Sequence, residues 1–147
     1  HRNFMGYSSS KTQLMVGLGV SSISDSWYSF AQNEKTVEEY EKSIQKGELS
    51  VFKGHILSEE DLIMRRHILN LMCNLETSWA DEIMKINDVD RIKTMLQGMV
   101  DDGLIECVEN GLIVNEEGRP FVRNVCMTFD KRMIDNEPET RIFSMTI

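Results

Sequence analysis

The sequence predicts an α+β protein that is mainly helical, organised as two domains of residues 1–57 and 58–147. Two observations support this prediction. Residues 58–136 contain segments in which apolar residues recur every three or four positions, which is typical of amphipathic helices, and two short apolar runs that flank a turn. Residues 1–57 are mixed in character, with small polar residues, scattered aromatic residues and one clear helical pattern.

The first domain contains an apolar, glycine-bearing stretch, QLMVGLGVSS, at residues 13–22. A continuous apolar run suits a strand that is covered on both faces, so we expect a buried strand that ends in a glycine-rich turn. Gly17 and Gly19 match the start of a dinucleotide-binding fingerprint, but Ser22 stands where the third glycine would be, so the match is weak. Residues 35–47 predict a helix that ends at Gly47.

The second domain begins with a helix that Ser58 caps. Acidic residues follow the cap, where they meet the free amides and the positive end of the helix dipole. The core-facing stripe of this helix consists of Met64, Ile68, Leu71 and Leu75. We expect a short helix over residues 79–86 and a longer helix over 88–102, which Gly103 ends in a left-handed conformation.

A β-hairpin is expected next, from the stretch LIECVENGLIV at residues 104–114. Two apolar runs flank Asn110 and Gly111, the pair that a type I′ turn prefers. Asn115 is expected to cap a last helix. Its apolar face consists of Val122, Val125, Phe129 and Met133. Because proline is disfavoured beyond the first turn, the regular helix is expected to begin near Pro120.

Helices followed by a β-hairpin form a winged-helix arrangement, in which the third helix usually reads the major groove of DNA. In this sequence both the third helix and the hairpin are acidic. Their acidic residues are Asp88, Asp90, Asp101, Asp102, Glu106 and Glu109, against only Arg91 and Lys93 in the helix. Such a surface, in a chain of net charge −8, would be repelled by phosphate. We therefore expect no nucleic-acid partner and predict a packing or lid module, with an acidic interaction module as an alternative.

Several other classes of protein are excluded. The chain contains no apolar run of the ~20 residues that a membrane helix needs, and we expect no signal peptide. Cys73, Cys107 and Cys126 lack the close spacing of zinc or iron–sulfur ligands, so we expect no metal site and reduced thiols in a cytoplasmic protein. The serine cluster lacks the GxSxG pattern of a serine nucleophile. Because the first residue is histidine, we expect the chain to be a fragment.

Six stretches give the sequence a resemblance to a known family. In chain order they are HRNFMGYSSS, GLGVSSIS, YSFAQN, GHILSEEDLIMRRHILNLMCN, DGLIEC and EEGRPFVRNVCMTFD. Together they resemble the C-terminal part of oxygen-independent coproporphyrinogen III oxidases. The resemblance implies that residues 1–57 are the last strand and loop of an incomplete α/β barrel and that residues 58–147 are the helical, winged-helix-like C-terminal domain.

The resemblance also implies an activity for the parent protein. The family uses a [4Fe–4S] cluster, held by a CxxxCxxC motif, to cleave S-adenosylmethionine to a deoxyadenosyl radical. That radical leads to oxidative decarboxylation of two propionates of coproporphyrinogen III, which gives the vinyl groups of protoporphyrinogen IX. The cluster motif is absent from this sequence, so the 147-residue chain alone is expected to be inactive and to carry neither cofactor.

The resemblance assigns roles to a few residues. Ile23 matches an isoleucine that lies against S-adenosylmethionine, and strand core is its alternative role. Phe4 and Met5 match a Phe-Gln pair that lines the active site, with an apolar plug as the alternative. Met5 departs from the family, because a thioether is only a weak acceptor where glutamine donates and accepts. Arg65 and Arg66 are candidate contacts to substrate carboxylates, since guanidinium groups suit carboxylates, or else form a solvated helix face.

The expected partners follow from the same resemblance. They are the N-terminal barrel of the same chain and the tetrapyrrole substrate, without nucleic acid or membrane. The parent is expected to be a monomer, whereas the fragment is expected to dimerise through exposed strand surface. A haem-binding or haem-delivering relative without oxidase activity is the alternative; GVSSIS and RNVCMTFD favour the oxidase.

Overall fold

The chain forms two compact units, His1–Leu62 and Ile63–Ile147. The computed structural model describes residues 1–3 and 5–135, with the side chain of residue 135 left out. Both helices and small antiparallel sheets are present, as an α+β fold requires. None of the helices in the described ranges is long and apolar enough to cross a bilayer.

The described residues of the first unit form two antiparallel sheets, one complete helix and the first turn of a second helix. Strands β1 (Arg2–Asn3) and β2 (Gly6–Tyr7) form a small hairpin. Strands β3 (Ile23–Asp25), β4 (Ser29–Asn33) and β5 (Val51–Ile56) form a three-stranded sheet in the order β3-β4-β5. Helix α1 (Val37–Gln45) lies between β4 and β5 in sequence. The Thr36 hydroxyl accepts from the Glu39 amide at its start and Gly47 adopts a φ of +75° after its end, so the helix predicted over 35–47 is confirmed.

The buried strand predicted within residues 13–22 is wrong. Met15 forms a single bridge to Asp25, and the segment is otherwise not a strand. Leu14, Val16 and Leu18 are 65%, 63% and 84% exposed. A strand with two apolar faces needs cover on both, and within residues 1–3 and 5–135 this segment pairs with only one residue of β3.

The first unit has no apolar core of its own among its described residues. Within residues 1–3 and 5–62 the only buried residues are Asp25 and Ser50, which are both polar. All buried apolar side chains of the described chain lie between Met64 and Phe129. The two units therefore differ in how they are stabilised.

The second unit is built around a helix, a sheet and a second helix. Helix α2 (Glu59–Asn74) begins in the first unit and is followed by β6 (Glu76–Ser78), a 3-10 turn (Glu82–Met84) and α3 (Val89–Asp101). Strands β7 (Ile105–Val108) and β8 (Gly111–Val114) form a hairpin, and β8 also pairs with β6, so the antiparallel order is β6-β8-β7. A 3-10 turn (Arg119–Phe121), α4 (Val122–Met127) and α5 (Lys131–Asp135) complete the described chain.

The core of the second unit lies between these helices and the sheet. Its most deeply buried side chains are Leu71, Ile92, Leu96, Leu112, Val125 and Phe129. Met64 is also buried, and Ile68 and Leu75 pack against this core, so the stripe predicted for α2 is confirmed. The N-terminal cap of α2 is confirmed too, because Ser58 Oγ accepts from the Asp61 amide at 3.2 Å. The end of α3 follows the prediction, with Gly103 at a φ of +71°.

The hairpin is present, but its turn is one residue earlier than predicted. Val108 pairs with Gly111, so the turn residues are Glu109 and Asn110. Neither has a positive φ, and the predicted type I′ geometry is therefore wrong. Gly111 is instead required by close packing, since a Cβ at this position would lie 2.6 Å from the Thr77 carbonyl oxygen in β6.

Two helix predictions need correction. The helix expected over residues 79–86 is only the 3-10 turn Glu82–Met84. The last helix is divided into α4 and α5, and the Asp130 carboxylate accepts from the Met133 amide at 2.9 Å, at the start of α5. Asn115 does not cap a helix with its side chain, because its Nδ2 donates to the Gly103 carbonyl at 2.9 Å. Regular helix begins after Pro120, as expected.

Candidate functional site

The glycine loop, residues 17–22, is the part of the first unit that carries the predicted cofactor-binding stretch. Asn33, at the end of β4, holds this loop with its side-chain amide. Its Nδ2 donates to the carbonyl oxygens of Gly17 at 3.1 Å and Gly19 at 2.9 Å. Its backbone amide also donates to the Ser22 carbonyl at 2.9 Å. One residue therefore contacts the loop at both ends.

Two further side chains accept hydrogen bonds from backbone amides of the loop. The Tyr40 hydroxyl on α1 accepts from the Gly19 amide at 3.1 Å. The Ser24 hydroxyl on β3 accepts from the Gly17 amide at 3.0 Å. The glycine loop is thus bound by residues from β3, β4 and α1.

The backbone of the loop explains why it contains two glycines. A Cβ at Gly17 would lie 2.7 Å from the Ile23 carbonyl oxygen, a distance that real Cβ atoms essentially never show. Gly19 has a φ of +95°, which is accessible to glycine at little cost. Ser21 also has a positive φ, +59°, which is uncommon for a residue with a side chain. The loop therefore has one specific shape that its sequence permits and its neighbours hold.

Ile23 lies at the start of β3, directly after the glycine loop. It is half-buried and pairs with Gln32 across the sheet. In the loop beside it, Val20 is half-buried and Leu18 is exposed. The segment from Leu18 to Ile23 thus combines apolar side chains with an ordered polar backbone.

Met5 lies at the tip of the β1–β2 hairpin and is 85% exposed. Its backbone amide donates to Asn3 Oδ1 at 2.9 Å, and Gly6 beside it adopts a φ of +115°. Phe4, the other residue predicted to line the active site, lies outside the described residues. The hairpin therefore presents Met5 on the surface of this unit.

Arg65, Arg66 and His67 are neighbours in sequence but do not form one basic surface. Arg65 and Arg66 are half-buried on α2, and Arg66 Nη1 donates to the Ile83 carbonyl at 3.2 Å. His67 is fully buried and stacks on Phe129 at a centroid distance of 5.5 Å. Consecutive residues of a helix point about 100° apart, which is why these three side chains separate.

The His67 ring is enclosed by two hydrogen bonds. Nε2 lies 2.8 Å from the Met84 carbonyl oxygen and Nδ1 lies 2.7 Å from Thr77 Oγ1. Burial lowers the pKa of His67 below its ordinary value of 6.5, and the hydrogen bond to Met84 opposes this shift. The imidazole is therefore a neutral core group.

No group of three or more histidine, cysteine, aspartate or glutamate side chains within the described ranges could hold a metal ion. Cys73 and Cys107 are half-buried thiols, and Cys126 is a buried thiol whose Sγ lies 3.9 Å from the Ile68 carbonyl oxygen. An iron–sulfur cluster therefore has no ligand set among the residues that the structure describes.

The sequence predicts Gln32 and Asn33 to be a loop or helix-cap pair, and it does not reveal the contacts that Asn33 and Tyr40 make with the glycine loop. Both make their contacts across 14 to 21 positions of sequence, which no local pattern reveals. Asn33 does stand at the end of YSFAQN, one of the stretches on which the resemblance rests. That motif was the available signal.

No protein-family model matches the chain. Curated relatives do match it over most of its length. The oxygen-independent coproporphyrinogen III oxidase of Escherichia coli is 32% identical over 135 residues, which is 88% of this chain and 30% of that protein. The Synechocystis enzyme of the same name is 32% identical over 156 residues, which is 100% of this chain and 33% of that protein.

The fold is similar to a solved structure as well. The Escherichia coli coproporphyrinogen III oxidase, described as a radical SAM enzyme, matches with a TM-score of 0.82 and 31% identity. The match covers 90% of this chain and 32% of that one. The chain thus spans about a third of the length of the proteins that it matches. The resemblance that its motifs carry is confirmed: the chain is a relative of the oxygen-independent coproporphyrinogen III oxidases and corresponds to a part of them.

Proposed function

We propose that this chain is the C-terminal third of a radical S-adenosylmethionine enzyme that decarboxylates two propionates of coproporphyrinogen III to vinyl groups. The observation that carries the proposal is the match in fold, with a TM-score of 0.82 over 90% of the chain at 31% identity. The reaction belongs to the whole protein, and the 147-residue chain alone is proposed to be inactive.

The first unit is proposed to be completed by the barrel upstream of it. Its described residues bury no apolar side chain, although Leu14, Val16 and Leu18 expose theirs within five positions. A cluster of exposed apolar residues usually marks a surface that another element covers. This supports residues 1–57 as the end of the barrel and the rest of the same polypeptide as their partner.

The glycine loop with Ile23 is proposed to bind S-adenosylmethionine. An adenosyl group needs apolar contact and a few fixed polar groups, and this segment offers both in a held conformation.

Phe4 and Met5 are proposed to line the active site. The cluster, which supplies the electron that cleaves S-adenosylmethionine when bound, does not fit the described residues and is assigned to the upstream segment.

Residues 58–147, which include the second unit, are proposed to be a winged-helix-like domain that covers the substrate side of the barrel. The order β6-β8-β7, with α3 between β6 and β7 in sequence, supports this architecture. The acidic residues of α3 and the hairpin support packing rather than phosphate binding.

Arg65 and Arg66 are proposed to contact substrate carboxylates. The cysteines form no disulfide among the described residues, which suits a reducing compartment, and the enzyme is proposed to be a cytoplasmic monomer.

The test uses the full-length encoded protein, reconstituted with iron and sulfide without oxygen. The electron paramagnetic resonance spectrum of the reduced cluster is recorded with and without S-adenosylmethionine, and coproporphyrinogen III is then added. The proposal predicts a spectrum that shifts with S-adenosylmethionine, followed by formation of protoporphyrinogen IX. Absence of a cluster would contradict the proposed radical chemistry outright.

A haem-handling relative is the second candidate, and Met5 is the observation that favours it. An exposed thioether stands where the family has a glutamine, and thioethers are axial ligands of haem in some proteins. This candidate predicts a spectral shift with S-adenosylmethionine but no protoporphyrinogen IX, together with a new Soret band when haem is added.

A further inference from the structure

Asn33 is placed by an irregularity in the three-stranded sheet. Gln32 pairs with Lys53 of β5, whereas the next residue, Asn33, pairs with Val51, so the register shifts between them. Irregularities of this kind re-aim side chains at the end of a strand. The Asn33 amide reaches two carbonyl oxygens of the glycine loop, which uses both of its N–H groups.

Tyr40 holds the same loop from a different element. Its hydroxyl accepts from the Gly19 amide, 21 positions away in sequence. Asn33 and Tyr40 thus bind opposite polar groups of one residue, the carbonyl and the amide of Gly19. Gly19 is thereby fixed at both of its backbone hydrogen-bonding groups.

The loop needs such support because its own sequence does not favour one conformation. Fixing a residue's backbone costs conformational entropy, and glycine loses more freedom than any other residue. Ser21 adds a positive φ of +59° to this cost. A loop that is already ordered before binding loses less entropy when a ligand docks on it.

We propose that Asn33 and Tyr40 are positioning residues: they hold the glycine loop in the conformation that binds the adenosyl group of S-adenosylmethionine. This inference rests on the proposed function. Asn33 acts through the carbonyl oxygens of Gly17 and Gly19, and Tyr40 acts through the Gly19 amide. Neither side chain is required to touch the cofactor.

The experiment compares Asn33→Asp with Gln32→Glu in the reconstituted full-length protein. Both changes turn an amide into a carboxylate of the same size at adjacent positions. Asn33→Asp loses two hydrogen bonds and sets a carboxylate against two carbonyl oxygens, whereas Gln32→Glu loses one exposed contact of 3.3 Å to Ser21. The dissociation constant for S-adenosylmethionine, measured by titrating the spectral shift, is expected to rise about tenfold in Asn33→Asp and about twofold or less in Gln32→Glu.

Hydrogen exchange without cofactor provides a readout that is independent of activity. In Asn33→Asp, the peptide covering residues 14–24 is expected to exchange faster than in the wild type, while the peptide covering α3 exchanges at an unchanged rate. Tyr40→Phe removes one acceptor only, so it is expected to raise the dissociation constant about threefold with the same local acceleration.

The outcomes separate this inference from the proposed function. If the wild type gives no spectral shift with S-adenosylmethionine, the proposed function is wrong. If the wild type binds normally and Asn33→Asp binds equally well, the positioning role is wrong. Equal acceleration of exchange in the loop and in α3 would also overturn it, because the variant would then have lost stability as a whole.

Discussion

His67 is a histidine whose surroundings specify its protonation state. Because the Met84 carbonyl oxygen can only accept, Nε2 carries the proton, and Nδ1 accepts from the Thr77 hydroxyl. Thr77 lies on β6 and Met84 in the 3-10 turn, so one ring on α2 joins three elements. A second proton on this buried ring would add a charge to the core.

This arrangement makes the stability of the protein depend on pH. The pKa of His67 is lower in the folded chain than its unfolded value of 6.5, so the unfolded state binds more protons below that pH. The contribution of neutral His67 is complete above about pH 6.5 and is lost as the pH falls toward the lowered pKa. His67→Gln, which cannot titrate, is expected to lower the free energy of unfolding by about 1–3 kcal/mol at pH 8, and this difference is expected to narrow as the pH falls below 6.5.

Urea denaturation across pH 5–8 measures this effect. Because the chain has three histidines, both proteins should also carry His1→Gln and His55→Gln, which leaves His67 as the only titrating imidazole of the wild-type background. A difference between the two proteins that stays constant over the whole range would contradict the neutral, buried assignment.

At the level of single residues, local chemistry could be predicted from the sequence and distant contacts could not. Ser58 was identifiable as a cap because Asp61, its partner, lies three positions away. His67 stands directly after Arg65 and Arg66 in the sequence, yet it alone of the three is fully buried, because a helix points adjacent side chains in different directions. The contacts of Asn33 were missed because its partners, Gly17 and Gly19, are brought to it by the fold of the sheet.

The elements of the second unit show the same limit at a larger scale. Helices α2 and α3 and the hairpin were predictable because periodicity and caps are local signals. Strand β6 has three residues and no alternating pattern, so it was missed. The turn was misplaced for that reason: Gly111 is needed where β6 packs against β8, and not for a positive φ.

Two glycines of the second unit give a matched pair for testing the packing of β6 and β8. A Cβ at Gly111 would lie 2.6 Å from the Thr77 carbonyl oxygen, whereas a Cβ at Gly98, within α3, would meet nothing within 4 Å. Gly111→Ala is expected to lower the free energy of unfolding by about 1–3 kcal/mol, since backbone must move to admit the methyl group. Gly98→Ala is expected to raise it by about 0.5–1 kcal/mol, because alanine is the better helix former.

Thermal and denaturant unfolding of both variants would check this contrast. The free energy of unfolding should change in opposite directions in the two variants, although both substitutions add the same methyl group. If Gly111→Ala proved as stable as the wild type, β6 and β8 would not approach each other as closely as the structure shows.

For the molecule as a whole, periodicity predicts the fold class, whereas the exposure of apolar surface in the first unit is expected only from the resemblance to a longer protein. The second unit buries its apolar stripes against one another, so its sequence pattern and its structure agree. The apolar run at residues 14–18 has the composition of a buried strand, yet its side chains are exposed. Burial of such a segment depends on what lies against it, which periodicity does not specify.

The exposed apolar side chains of the first unit predict self-association of the 147-residue chain. Leu14 and Leu18 are 65% and 84% exposed, and covering them against a second copy would remove apolar surface from water. We expect light scattering after gel filtration to show a dimer at micromolar concentration. Replacing Leu14 and Leu18 by lysine is expected to give a monomer, because two charges would have to be desolvated at the contact.

Ile83→Lys is the matched control, since Ile83 is 70% exposed but lies in the second unit, and it should leave the dimer intact. A wild-type chain that is monomeric and strongly protected from amide exchange at residues 14–20 would contradict this prediction, because the segment would then be covered within a single copy.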